Sequence, residues 1–169
     1  MEKTEINVKW ELRKGDIFEQ PDVDTIIHQC NCCHCMGGGI AGVLAAKFPE
    51  VYKADKETPY KEYDKMGTNV YVHIVDSGTQ LRTVVNMYSQ FYPGAFFNKF
   101  DYHARLLALE SCLKNVYNVY KDMDVTIGVP YLVGCGISGL KEEDVLDVFN
   151  KAFKNNGDMA CKIVFVELP

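Results

Sequence analysis

At 169 residues the chain is long enough for one domain with a sizeable core and short for two. Its 18 basic and 23 acidic residues leave a formal net charge of −5, which argues against general binding to nucleic acid, and the lysines from Lys47 to Lys65 alternate with acids as on a solvated face. The odd count of seven cysteines disfavours a disulfide framework, and no leader-like segment or apolar run of roughly 18 residues is present, so the expectation is a cytoplasmic protein that neither enters nor crosses a membrane.

Taken in chain order, Val8–Leu12 alternates like a half-buried strand and ends at the turn pair Gly15–Asp16. Thr25–Gln29 reads as a short buried strand and residues 39–47 as a helix stopped by Pro49. Two β-branched runs, Asn69–Val75 and Arg82–Met87, are joined by Asp76-Ser77-Gly78-Thr79, whose turn chemistry predicts an antiparallel hairpin. Residues 102–120 carry a helical stripe of Leu106, Leu109, Leu113, Val116 and Tyr120, with Asp101 placed to cap it and His103 on its first-turn surface. The aromatic-rich segment between Tyr88 and Phe100 is either packing over a sheet edge or a lid that excludes water. A strand over Val125–Tyr131, a helix from about Lys141 to Lys154 and a last strand Lys162–Glu167 complete the chain. The order β-β-α-β-β-α-β-α-β implies an α/β fold, a mixed sheet with helices on both faces.

Residues 26–41, IIHQCNCCHCMGGGIA, concentrate the chemistry. An apolar strand enters a cysteine-rich corner and leaves through Gly37, Gly38 and Gly39 into a helix, the layout of an anion cradle in which backbone N–H groups converge at a helix start. Four cysteines there, with His28 and His34, raise zinc as an alternative, but Cys112, Cys135 and Cys161 supply no second ligand pair at metal-site spacing, and small semi-apolar packing residues explain the thiols as well. A second glycine-rich loop, Gly134-Cys135-Gly136-Ile137-Ser138-Gly139, again follows a strand and precedes a helix. In an open α/β sheet both loops flank the crevice at the carboxyl ends of the strands, where one elongated anionic ligand would lie. The first loop is not a G-x-G-x-x-G fingerprint, and the second lacks the Lys-Ser/Thr of a P-loop.

The segments G-D-I at 15–17, I-I-H-Q-C-N-C and M-G-G-G-I-A before K-F-P, and P-Y-L-V-G-C-G-I-S-G together resemble the macrodomain, the ADP-ribose-binding module, over essentially the whole chain. The resemblance is to the branch of yeast-type ADP-ribose-1″-phosphate phosphatases and terminal ADP-ribose glycohydrolases, with small phage and bacterial members. It implies one three-layer α/β/α domain over residues 1–169, with about six strands, no cofactor and no metal, a monomer whose partner is ADP-ribose or an ADP-ribosylated substrate.

Carried over by position, the resemblance implies that Asp16 accepts from the adenine amine beside Ile17, that Asn31 meets the distal ribose, and that Met36, Gly37, Gly38, Gly39 and Ile40 form the first ligand loop. Val133, Gly134, Cys135, Gly136, Ile137, Ser138 and Gly139 form the second, Gln90 shapes the distal pocket, and Leu168 or Val166 packs on adenine. His28 stands where phosphatase relatives carry a catalytic histidine, which makes His28 and Asn31 the catalytic candidates. The residues alone also allow plainer roles: a turn for Asp16, a turn cap for Asn31, a buried hydrogen-bonded histidine for His28. The lysine and the second-loop acid of the glycohydrolase relatives are missing from Val85-Asn86-Met87-Tyr88 and Ile137-Ser138-Gly139. The expected function is therefore ADP-ribose binding with processing of its distal end, dephosphorylation of ADP-ribose-1″-phosphate before ADP-ribosyl hydrolysis. The alternatives are a non-catalytic ADP-ribose reader and a thiol or zinc protein.

Overall fold

The computed structural model describes residues 10–76, 78–131, 133, 135, 138–153 and 159–168. Six strands form one sheet: β1 (Trp10–Lys14), β2 (Thr25–Asn31), β3 (Asn69–Asp76), β4 (Gln80–Gln90), β5 (Thr126–Pro130) and β6 (Lys162–Glu167). Their order across the sheet is β1-β6-β5-β2-β4-β3, parallel throughout except for the antiparallel pairing of β3 with β4. Parallel strands need crossovers, and the helices that supply them cover both faces.

Helices α1 (Gly39–Lys47) and α2 (Pro49–Lys56) cover one face, where Leu44 and Val51 pack on Ile26, Val84 and Val164. Helices α3 (Lys99–Tyr120) and α4 (Glu142–Ala152) cover the other, where Leu109, Leu113, Val145 and Phe149 pack on Ile27, Val85, Val129 and Phe165. Neighbouring residues of β2 thus serve different cores, as the two-residue period of a strand requires.

Several boundaries differ from the sequence expectation for local reasons. The first strand continues to Lys14, two residues past the expected Leu12, while Val8 and Lys9 lie outside the described residues. Pro49 does not merely stop α1; it opens α2 as its first residue, where the missing N–H costs no helical bond. α3 starts at Lys99, and its cap is Asn98, whose side chain accepts from Asp101 N (3.0 Å), while the Asp101 carboxylate accepts from Phe97 N (2.8 Å) and so serves the turn before the helix. β2 and β4 run on to Asn31 and Gln90, which carries both strands to the mouth of a cavity. The predicted end of α4 at Lys154 lies outside the described residues, as does Ser77 in the hairpin turn.

Candidate functional site

A cavity of about 970 Å³ opens at the carboxyl ends of the strands. Gln29 and Asn31 from β2 and Gln90 from β4 line it, the segment Gly15–Phe18 closes one end, and Val166, Glu167 and Leu168 stand beside that segment at the end of β6, tied to it by Gly15 N donating to Glu167 O (2.8 Å). Gly37–Ala41 and Val43 form one wall, and Pro130, Tyr131, Val133 and Ser138 form the other. Pro93 and Gly94 belong to the rim.

Asp16 caps the 3-10 turn Ile17–Glu19, accepting from Phe18 N at 2.9 Å, and remains exposed on the cavity. The cap and the site coincide, because a carboxylate has acceptor capacity beyond one bond.

At the first loop, α1 begins with Gly38 as an N-cap that brings no side-chain bond, so the first N–H groups of the helix are left for another acceptor. Gly39 sits at φ +57°, in the left-handed region that favours glycine. Gly42 lets the loop fold back on the helix, since a Cβ there would lie 3.1 Å from Gly37 O.

Asn31 lines the cavity with its amide turned into its own loop. Its Oδ1 accepts from Cys33 N (3.0 Å) and Cys35 N (3.3 Å), and its Nδ2 donates to Cys35 O (2.8 Å). Gln90 is similarly engaged, donating to Tyr92 O at 2.9 Å. Gln29 differs: its Nε2 is buried and has no hydrogen-bond partner.

Arg105, wholly buried on α3, fastens the rim. Its guanidinium donates to Gly94 O (2.6 Å), Ser138 Oγ (2.9 Å), Tyr92 O (3.3 Å) and Ala95 O (3.3 Å), and pairs with Asp101 at 3.3 Å. Segment 92–95 and the second loop at Ser138 are thereby held by one cation, while the aromatic chain Tyr63–Phe91–Tyr92–Phe97 packs the rim from outside.

Of the expected residues, Asp16, Ile17, Asn31, Gly37, Gly38, Gly39, Ile40, Gln90, Val133, Ser138 and Leu168 line this one cavity. Gly134, Gly136 and Ile137 lie outside the described residues. Four expected residues are absent from the lining. Met36 is buried among the α1/α2-side apolar residues. Cys135 packs against the α3/α4 core, and burial pushes its thiol up to about 11. Gly139, at φ +77°, stands behind the Phe96 ring, 3.4 Å from where its Cβ would be.

His28 is the fourth. Its ring is fully buried on the α2 side of the sheet, with Nε2–H donating to Asn86 Oδ1 (2.6 Å), and Asn86 Nδ2 donates onward to Val51 O (3.3 Å). Burial lowers its pKa to about 4, against the opposing effect of the Asn86 bond, so the imidazole is neutral near pH 7. Beyond it, Tyr88 donates to Asp55 Oδ1 (2.7 Å), and the buried Lys65 ammonium lies 3.8 Å from Asp55 and 4.1 Å from the centre of the Tyr88 ring. The cysteines share this apolar side: Cys30 and Cys32 pack with Tyr88 and Phe91, and burial raises both thiols, Cys32 to about 11. Among the described residues no three His, Cys, Asp or Glu side chains converge as a metal ligand set.

Among the described lining residues the only charged ones are Asp16 and Glu167, and none is a lysine, arginine or histidine. Sequence reasoning passed over Gln29 and Arg105. Gln29 shares strand parity with Asn31. Arg105 lies four residues after Asp101 and continues, at intervals of four, seven, eight and eleven, into the buried Leu109, Cys112, Leu113 and Val116.

The Macro domain family model matches residues 27–149. An uncharacterised 17.5 kDa protein of the tk-vs intergenic region of Enterobacteria phage T4 is 36% identical over 129 residues, 73% of this chain and 77% of that protein. An ADP-ribose 1″-phosphate phosphatase of Aspergillus oryzae is 46% identical over 39 residues, 23% of this chain and 19% of the fungal one. Among solved structures, Thermosipho africanus DarTG in complex with ADP-ribose superposes with a TM-score of 0.67 at 19% identity, over 94% of this chain and 42% of that one. With its three layers, its strand order and a family match over most of its length, the chain belongs to the Macro domain family.

Proposed function

We propose that the cavity binds ADP-ribose or a close derivative, as a single and monomeric domain. The observation that carries this reading is the pairing of Asp16 at one end with Asn31 and Gln90 at the other, across two walls built from loops that each follow a strand and lead to a helix. The Asp16 carboxylate accepts from the adenine amine beside Ile17, with Leu168 against the base. Gly37–Ile40 and the wall at Val133 and Ser138 enclose the diphosphate, the α1 start supplying N–H donors, and Asn31 and Gln90 border the distal ribose.

Processing of the distal end is the second reading, with dephosphorylation of ADP-ribose-1″-phosphate first and ADP-ribosyl hydrolysis next. The 39-residue likeness to a fungal phosphatase favours it. His28 serves this reaction as a positioning residue: from under the sheet it holds β2, while Asn31 is the member of the pair on the cavity side.

Calorimetric titration with ADP-ribose, followed by phosphate release from ADP-ribose-1″-phosphate, tests both. Binding with release is expected, and release per folded molecule should survive His28→Gln but fall in Asn31→Ala. Binding without release would leave a reader module, and no binding would overturn the proposal.

A further inference from the structure

A diphosphate brings negative charge into a cavity that no cationic side chain lines among the described residues, and whose two charged lining groups are the carboxylates of Asp16 and Glu167. The anion must then be met by neutral donors. Backbone N–H groups at the start of α1 supply some, and three lining side chains are carboxamides: Gln29, Asn31 and Gln90. Two of these have committed one of their two N–H groups within the protein, Asn31 Nδ2 to Cys35 O and Gln90 Nε2 to Tyr92 O. The Gln29 Nε2 has not, and it is the one buried polar side-chain atom without a partner that belongs to a described lining residue.

Burying a donor without a partner is unfavourable, so an uncommitted amide N–H beneath a ligand cavity is a standing demand for an acceptor. Gln29 lies on the central strand, flanked by β5 and β4 and two residues before Asn31, which puts it on the floor between the adenine end and the distal end. The group spanning that middle is the diphosphate, whose non-bridging oxygens only accept.

Resting on the ADP-ribose reading above, we infer that Gln29 is a specificity-determining residue, its side-chain amide donating to a diphosphate oxygen. The site then distinguishes nucleoside diphosphates from nucleosides through a neutral side chain, and its affinity is less sensitive to salt than that of a lysine- or arginine-lined phosphate site.

The test is calorimetric titration of wild type, Gln29→Met and Gln29→Glu with ADP-ribose, ADP and adenosine, with a thermal melt of each unliganded protein. Gln29→Met should lose about tenfold in affinity for ADP-ribose and for ADP alike while binding adenosine as wild type does, and it should melt no lower, because it removes an unmet donor. Gln29→Glu, equal in size but carrying an acceptor, should lose more for both diphosphates. Unchanged ADP affinity in both variants, or an equal loss for adenosine, would overturn the inference and leave the ADP-ribose reading standing. Failure of wild type to bind ADP-ribose would remove that reading and this one with it.

Discussion

The two sides of β2 solve opposite problems with similar materials. On the α2 side, His28, Asn86, Tyr88, Asp55 and Lys65 are buried and joined to partners, so the charge there is fixed and serves the fold. On the cavity side, Gln29, Asn31 and Gln90 are neutral, and the cation nearest to the rim, Arg105, is turned away into carbonyls and Ser138. Ionic groups fixed in the interior hold the sheet; on the cavity side Asn31 and Gln90 each brace a loop with one N–H, and of the three amides the Gln29 Nε2 is the one without a partner. The comparison teaches that the lowered pKa of His28 comes from its burial in the sheet and not from the cavity, which the ring does not touch.

That division can be broken from either side. The largest effect is expected for Asp55→Ala, which strands a buried ammonium and the Tyr88 hydroxyl; unfolding in urea should show a loss of about 3–5 kcal/mol, with ADP-ribose affinity of the folded fraction unchanged. Next comes pH. His28 binds its proton near 6.5 when unfolded and near 4 when folded, so the unfolded chain holds more protons between those values and stability falls as pH drops through that window. The loss should approach about 3 kcal/mol by pH 4, and urea midpoints measured from pH 7 to 4 should show a contribution that His28→Gln removes. Smallest is Asp16→Asn, which keeps the cap on Phe18 N but weakens the acceptor for adenine. ADP-ribose affinity should fall by roughly three- to tenfold, with stability altered by less than about 0.5 kcal/mol. An Asp16→Asn protein that lost stability instead would blur the division.

Much of this plan was legible before the coordinates. Residues 39–47 are bounded as a helix by glycine on one side and Pro49 on the other, and the hairpin follows from its β-branched runs and turn residues. α2 escaped because its eight residues are mostly polar and follow directly on a helix break. Asn98 and Asp101 are both good caps three residues apart, and only the geometry shows each bonding to the other's end of the turn.

In the site, the glycines, Asp16 and Asn31 were readable from residue type and order. His28 was misplaced through parity: it stands three residues from Asn31 on one continuous strand, so the two face opposite sides, a conflict hidden while the strand was taken to end at Gln29. Gln29 carries no distinctive residue type, and its meaning emerges only when the bonds of the other two amides are known. Arg105 looks like an ordinary charged helix residue until its oxygen partners on five residues are seen.

Those partners bear on how portable the site is. The walls of the cavity come from loops that look detachable, yet three carbonyls of segment 92–95 and the Ser138 hydroxyl end on a guanidinium rooted in the second turn of a 22-residue helix. Moving the loops onto another scaffold would leave those oxygens without their donor. The smallest transferable unit is therefore the loops together with α3 and the Asp101 that pairs with its arginine.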